Sequence, residues 1–178
     1  MLFLLLILNF LVPGDRSANE VCEVLALERN PEGYFWPLAK IRRFVNSAEV
    51  IVRVRAVDSV TVEVPPEGGW YGKAQVTFTI LQTLKGPRIA SDLTLPGAIV
   101  DHDDFNRLSV PYRMVRPSGQ RGSCFTGEYK LGGEYLLILR TQNGSLTPYW
   151  APLAPLNEQI RGADDPWVQW VRAQITGS

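Results

Sequence analysis

The stretch from Ala48 to Val64, AEVIVRVRAVDSVTVEV, sets Ala48, Val50, Val52, Val54 and Ala56 on one side of a two-residue period. Glu49, Arg53 and Arg55 fall on the other side. A period of two marks a strand with one buried and one wet face. The valines reinforce that reading, because β-branched side chains fit a pleated surface better than a helix. The pattern recurs in GKAQVTFTILQTLKG, with Ala74, Val76, Phe78 and Ile80 inward and Gln75, Thr77 and Thr79 outward. PPEGGW turns the chain between the two stretches, and Gly86-Pro87 ends the second. Two long half-buried strands in succession commit the chain to antiparallel β structure, since each apolar face needs a cover and each edge a partner.

Further apolar runs extend the sheet. SDLTLPG reads as a short third strand. GEYLLILR and SLTPYW read as two more, joined through Asn143-Gly144, the dipeptide favoured in tight hairpins. Asn143-Gly144-Ser145 also matches a glycosylation sequon. LAKIRRFVNSA places Leu38, Ile41, Phe44 and Val45 at helical spacing. Near the end, Asp165-Pro166 supplies an N-cap and a first-turn proline for a helix over WVQWVRAQI, with Trp167, Trp170, Val171 and Gln174 on one face. The 178 residues suit one domain, and 13 prolines with 15 glycines fit a turn-rich β protein. The expected architecture is mainly β, a small closed or partly open barrel with a short N-terminal helix and a C-terminal helix. Its expected core is Ala48, Val50, Val52, Val54, Val76, Phe78, Ile80, Leu136 and Ile138.

The first residues, MLFLLLILNFLV, form an apolar run of h-region length, shorter than the roughly 20 residues a spanning helix needs. PGDRSANE then breaks it. Residues 1–18 are read as a signal peptide or N-terminal membrane anchor, which places the folded part, 22–178, outside the cytoplasm. In an oxidising compartment the two cysteines, Cys22 and Cys124, read as one disulfide. Such a link closes a loop of about 100 residues and stabilises by about 4–5 kcal/mol in the chain-entropy view. In the cytosol they would be two unpaired thiols.

Four segments in order resemble the netrin-like domains, which include the tissue inhibitors of metalloproteinases. FVNSAEVIVRVRAV is similar to the first-strand signature of that family. The strand ending TLKGP resembles its second strand and Lys-Gly stop. CFTGEYKLGGEYLLIL resembles its cysteine, Gly-Gly and EYL strand, and a closing helix with WVQWV also fits. The resemblance covers roughly Cys22 to Leu139 and implies an OB-type β-barrel with Cys22 tied to Cys124. It also implies an alternative role, inhibition of a secreted metalloendopeptidase through the disulfide-tethered N-terminal edge. The inhibitors chelate zinc with a first-residue cysteine, whereas here Asn19-Glu20-Val21 precede Cys22, Glu23-Val24 follow it, and Val45 replaces a further cysteine. The resemblance therefore carries the barrel further than the inhibition.

Acidic and basic residues balance at 18 each, so net charge points to neither nucleic acid nor an anionic membrane. The long connection from Asp101 to Ser123 carries Arg107, Arg113, Arg116 and Arg121 with Tyr112, followed by Phe125. Planar guanidinium donors beside aromatic area suit carboxylate or sulfate groups, which makes this connection the expected recognition element. Trp70, beside Tyr71 in a Gly-rich turn, is a further candidate contact. The lone His102 among Asp101, Asp103 and Asp104 lacks the alternation that would converge several ligands on a metal. Glu128 and Glu134 could serve a glycosidase in principle, but read as exposed strand positions. The expectation is a non-enzymatic domain without cofactor, binding a protein or an anionic extracellular polymer.

Overall fold

The structure, a computed structural model, describes residues 35–61, 74–89, 92–120, 124–142, 144–148 and 151–177. The apolar segment 1–18, Cys22, Trp70, Arg121 and Asn143 lie outside the described residues. Among the described residues the chain is mainly β, with two helices and an antiparallel sheet. Helix α1 (Leu38–Ser47) precedes the long strands β1 (Val50–Thr61) and β2 (Ala74–Lys85). β3 (Leu93–Pro96) and β4 (Ala98–Val100) follow, separated by Gly97. After the long connection come β5 (Glu128–Lys130), β6 (Glu134–Gln142), β7 (Ser145–Pro148), β8 (Asn157–Ile160) and α2 (Pro166–Thr176).

The sheet order is β3-β2-β1-β6-β7, with β8 also paired to β6. β7 takes Leu139–Gln142 and β8 takes Glu134–Leu137, so the two share the edge of β6 opposite β1. β4 pairs β5 in parallel as a separate ribbon. Its first strand falls within what reads in the sequence as an irregular connection beginning at Ala98. The β1–β2 ladder shifts register between Ile51/Val52, Arg53/Val54 and Ala56/Asp58. Each shift sharpens the local twist, which curls two long strands instead of leaving them flat. Gln142 pairs Ser145 around the expected two-residue hairpin, with Gly144 at φ 79°. Gly86 sits at φ +86° where a Cβ would meet the Glu49 carbonyl oxygen at 2.2 Å, so the chain can leave β2 there only with glycine.

Two apolar clusters lie on opposite faces of β1 and β6. One holds Val50, Val52, Val54, Ala56, Val76, Phe78, Leu93, Leu95, Tyr129, Tyr135, Leu137 and Leu139, with Ile80 half-buried against it. The other gathers Ile51, Leu136 and Ile138 beneath the helices, with Ile41 and Val45 from α1 and Trp167, Val168 and Val171 from α2. Leu136 and Ile138 therefore do not share a face with the β1 valines, contrary to the parity expected from the sequence. The register explains why. Val50, Val52 and Val54 lie opposite Leu139, Leu137 and Tyr135, and directly opposed residues share a face. Ala48 likewise belongs to the helix-covered cluster.

α2 forms as its cap predicts. Asp165 accepts from the Trp167 backbone N–H at 2.9 Å, and Pro166 fills the first turn. Trp167 stacks between Trp170 at 5.0 Å and Tyr112 at 4.9 Å. The helix layer and the long connection thus meet at one aromatic stack.

Candidate functional site

The connection after β4 has little regular structure of its own. Loops of that length hold a shape only where something outside them supplies the hydrogen bonds. Here the supplier is β8, whose Asn157, Glu158, Gln159 and Ile160 are all buried. The Gln159 side-chain oxygen accepts from the Asp104 backbone N–H at 2.6 Å, and Glu158 accepts from Asn106 Nδ2 at 2.9 Å and from the Arg116 backbone N–H at 3.1 Å. Asn106 Nδ2 also donates to the Met114 carbonyl, folding the connection back on itself.

Arg116 is the centre of this arrangement and is wholly buried. Nη1 donates to Asp104 Oδ2 at 2.6 Å, Nε to the Asn157 carbonyl at 2.9 Å and Nη2 to the Glu128 carbonyl at 2.7 Å. The guanidinium also lies 5.4 Å and 5.2 Å from the ring centroids of Tyr129 and Tyr135, within range of cation–π attraction. Asp104 in turn accepts from the Ser118 backbone N–H. A buried guanidinium tolerates its lost hydration only when its donors are met in this way.

Burial governs the titration of the groups around it. It pushes Glu158 up to about 7 despite the opposing pull of Arg116 and the Asn106 hydrogen bond. It also pushes Tyr112 and Tyr135 up to about 12.

The residues expected to recognise a partner divide sharply. Arg107 and Arg113 are exposed. Arg113 is also anchored, with Nε donating to the Trp36 carbonyl and its own carbonyl accepting from the Trp36 N–H. Tyr112 is 5% exposed and belongs to the helix-side core, and Arg116 is interior; neither presents the surface contact expected of it. Their burial follows from the acceptors of β8 and the aromatic stack, which local sequence does not reveal. Arg121 and Trp70 lie outside the described residues, so the connection is followed only to Gln120. Cys124 is buried, at φ 59°. Its expected partner Cys22 lies outside the described residues.

The acidic run is drawn apart. Asp101 faces His102 at 3.2 Å, Asp103 takes Lys130 at 2.7 Å and Gln159 at 2.7 Å, and Asp104 turns inward to Arg116. Of the two glutamates weighed for glycoside chemistry, Glu134 is held by Arg53 at 2.6 Å and Arg55 at 2.8 Å. Burial opposes its charge, but the hydrogen bonds from Arg55 and Arg53 outweigh burial and hold its carboxyl below the ordinary range. Glu128 contributes its backbone carbonyl to Arg116. Asn157, Glu158 and Gln159 carry one signal in the sequence, a polar triplet bracketed by Leu156 and Ile160. No family model matches the chain, and no curated protein is significantly similar to it.

Proposed function

We propose that this chain is an exported, non-enzymatic domain of netrin-like, OB-type architecture that binds another macromolecule. The observation that carries the reading is the bolting of the 101–120 connection to the body. Arg116, Asp104 and Glu158 fix it from inside while Arg107 and Arg113 stand on its outer side. A long segment fixed by buried polar groups meets a partner with little ordering cost. An OB-type barrel is supported by the passage of the chain through Gly97, at φ 155°, from β3 on the main sheet directly into β4, and by the parallel pairing of β4 with β5. The tie between Cys22 and Cys124 belongs to the same proposal. The test is capture of partners from native extracytoplasmic extract by the purified full chain and by the Arg107→Ala/Arg113→Ala variant. The variant should fold normally and lose a partner that wild type retains. Unchanged capture by the variant removes this connection as the interface.

A further inference from the structure

A second surface lies where the connection, the β5–β6 turn and the end of β8 meet. It is a cleft of about 440 Å³ lined by Asp103, Phe105, Lys130, Leu131, Glu134 and Arg161, among others. Leu131 stands at its lip with 56% of its surface exposed, the most exposed of the large apolar side chains among the described residues. The turn that presents it is fixed by the Gly132 N–H donating to the Ala56 carbonyl at 2.8 Å and the Gly133 N–H donating to the Lys130 carbonyl at 2.9 Å. Arg161 lies 4.3 Å from the Phe105 ring centroid. Its backbone is tied by its N–H to Asp165 Oδ2 at 2.9 Å.

Charge in the cleft is unevenly paired. Asp103 is met by Lys130, and Glu134 by both Arg53 and Arg55. Arg161 meets no carboxylate within 4.0 Å among the described residues; its guanidinium stacks on Phe105 and acts on Asp103 only from beyond ion-pair distance. Two carboxylates and two cations line the cleft, and because Arg53 and Arg55 satisfy Glu134 from outside the lining, Arg161 is left as the lining cation without an ion pair. A guanidinium stacked on a ring is oriented before any ligand arrives and keeps its in-plane donors for a carboxylate.

We propose that this cleft docks an acidic segment of a protein partner, with a carboxylate taken by Arg161 and a neighbouring aliphatic side chain set against Leu131. The proposal rests on reading the chain as a macromolecule-binding domain and adds the place and the partner's chemistry. A sulfated polysaccharide fits less well. It offers nothing apolar to Leu131, and its dense charge would meet Asp103 and Glu134 within the same cleft. An acid beside an aliphatic residue satisfies both features.

The test is panning of a displayed random peptide library on the purified full chain. Selected peptides are then measured against wild type, Arg161→Gln and Leu131→Ser. Selected peptides should carry Asp or Glu beside an aliphatic residue, and each substitution should weaken them about tenfold or more, the scale of a lost charge-assisted hydrogen bond or apolar anchor. Both variants should unfold with the wild-type midpoint, because both side chains are exposed. Peptides lacking an acid, or bound equally by Arg161→Gln, overturn the proposal. So does binding of a heparin oligosaccharide through Arg161 when no peptide is selected. If a natural partner captured by wild type also binds both variants unchanged, the cleft assignment falls while the binding reading stands. If no macromolecule is captured and no peptide is selected, both fall.

Discussion

Glu158 should make the protein lose stability as pH rises from acid to neutral, the reverse of ordinary acid denaturation. Its carboxyl is buried and pushed from 4.5 up to about 7. A group whose folded pKa is raised contributes stability that is fully present below its unfolded value and lost as pH climbs through the folded one. The window therefore runs from about pH 4.5 to about pH 7. Each pH unit between those two values is worth about 1.4 kcal/mol, so the loss across the window is about 3 kcal/mol. Urea denaturation at intervals between pH 5 and pH 8 reads this as a midpoint falling by roughly 1–3 M. Glu158→Gln removes the titration. It also replaces one carboxyl oxygen, which accepts from Arg116 or Asn106, with an amide nitrogen that cannot accept, so the variant starts less stable at pH 5. The informative quantity is the difference between the two curves, which should shrink steadily toward pH 8. Asp103 and Glu134, both held below the ordinary range, change protonation mainly below this window and leave the difference untouched. Parallel curves for wild type and Glu158→Gln across pH 5–8 would refute the reasoning.

Arg116→Met should destabilise by about 3–5 kcal/mol in urea at pH 7, because Asp104 is left as a buried charge without its partner; a loss under about 1 kcal/mol would show that water reaches the pair. Val52→Asp and Leu137→Asp should each unfold the domain, since an unpaired charge in the core costs several kcal/mol and these residues face each other across β1 and β6. A cooperative thermal transition in either variant would show that face to be wrongly assigned. If the proposed tie between Cys22 and Cys124 forms, labelling of free thiols on the purified full chain should find none; two labelled thiols per chain would refute the tie.

What the sequence shows plainly is whatever depends on neighbours in the chain. β1 and β2 announce themselves because one face of each differs from the other over many residues. The β6–β7 hairpin does so because only a few dipeptides make that turn, and α2 because Asp165 and Pro166 act within its first turn. β6 is legible as a strand but not as to which face is which. Its run from Tyr135 to Leu139 is buried throughout, so the period of two carries no contrast there, and only the register with β1 decides.

β8 and Arg116 are illegible for a stronger reason: each is explained by the other. Asn157, Glu158 and Gln159 read as a loop until the connection covers them, and Arg116 reads as one of several surface arginines until the Asn157 carbonyl, the Glu158 carboxyl and Asp104 converge on it. Nothing within a few residues of Arg116 distinguishes it from Arg113, which sits on the outside tied to Trp36. The same closure decides which part of the connection is left exposed. Once Arg116, Tyr112 and Asp104 are drawn inward, Arg107 and Arg113 remain on the outside, and Asp103 and Phe105 become one wall of the cleft that Arg161 overlooks. The interior network and the proposed binding surfaces are thus two sides of one segment. A substitution that loosens the first, such as Arg116→Met, should weaken binding at the second even where the fold survives.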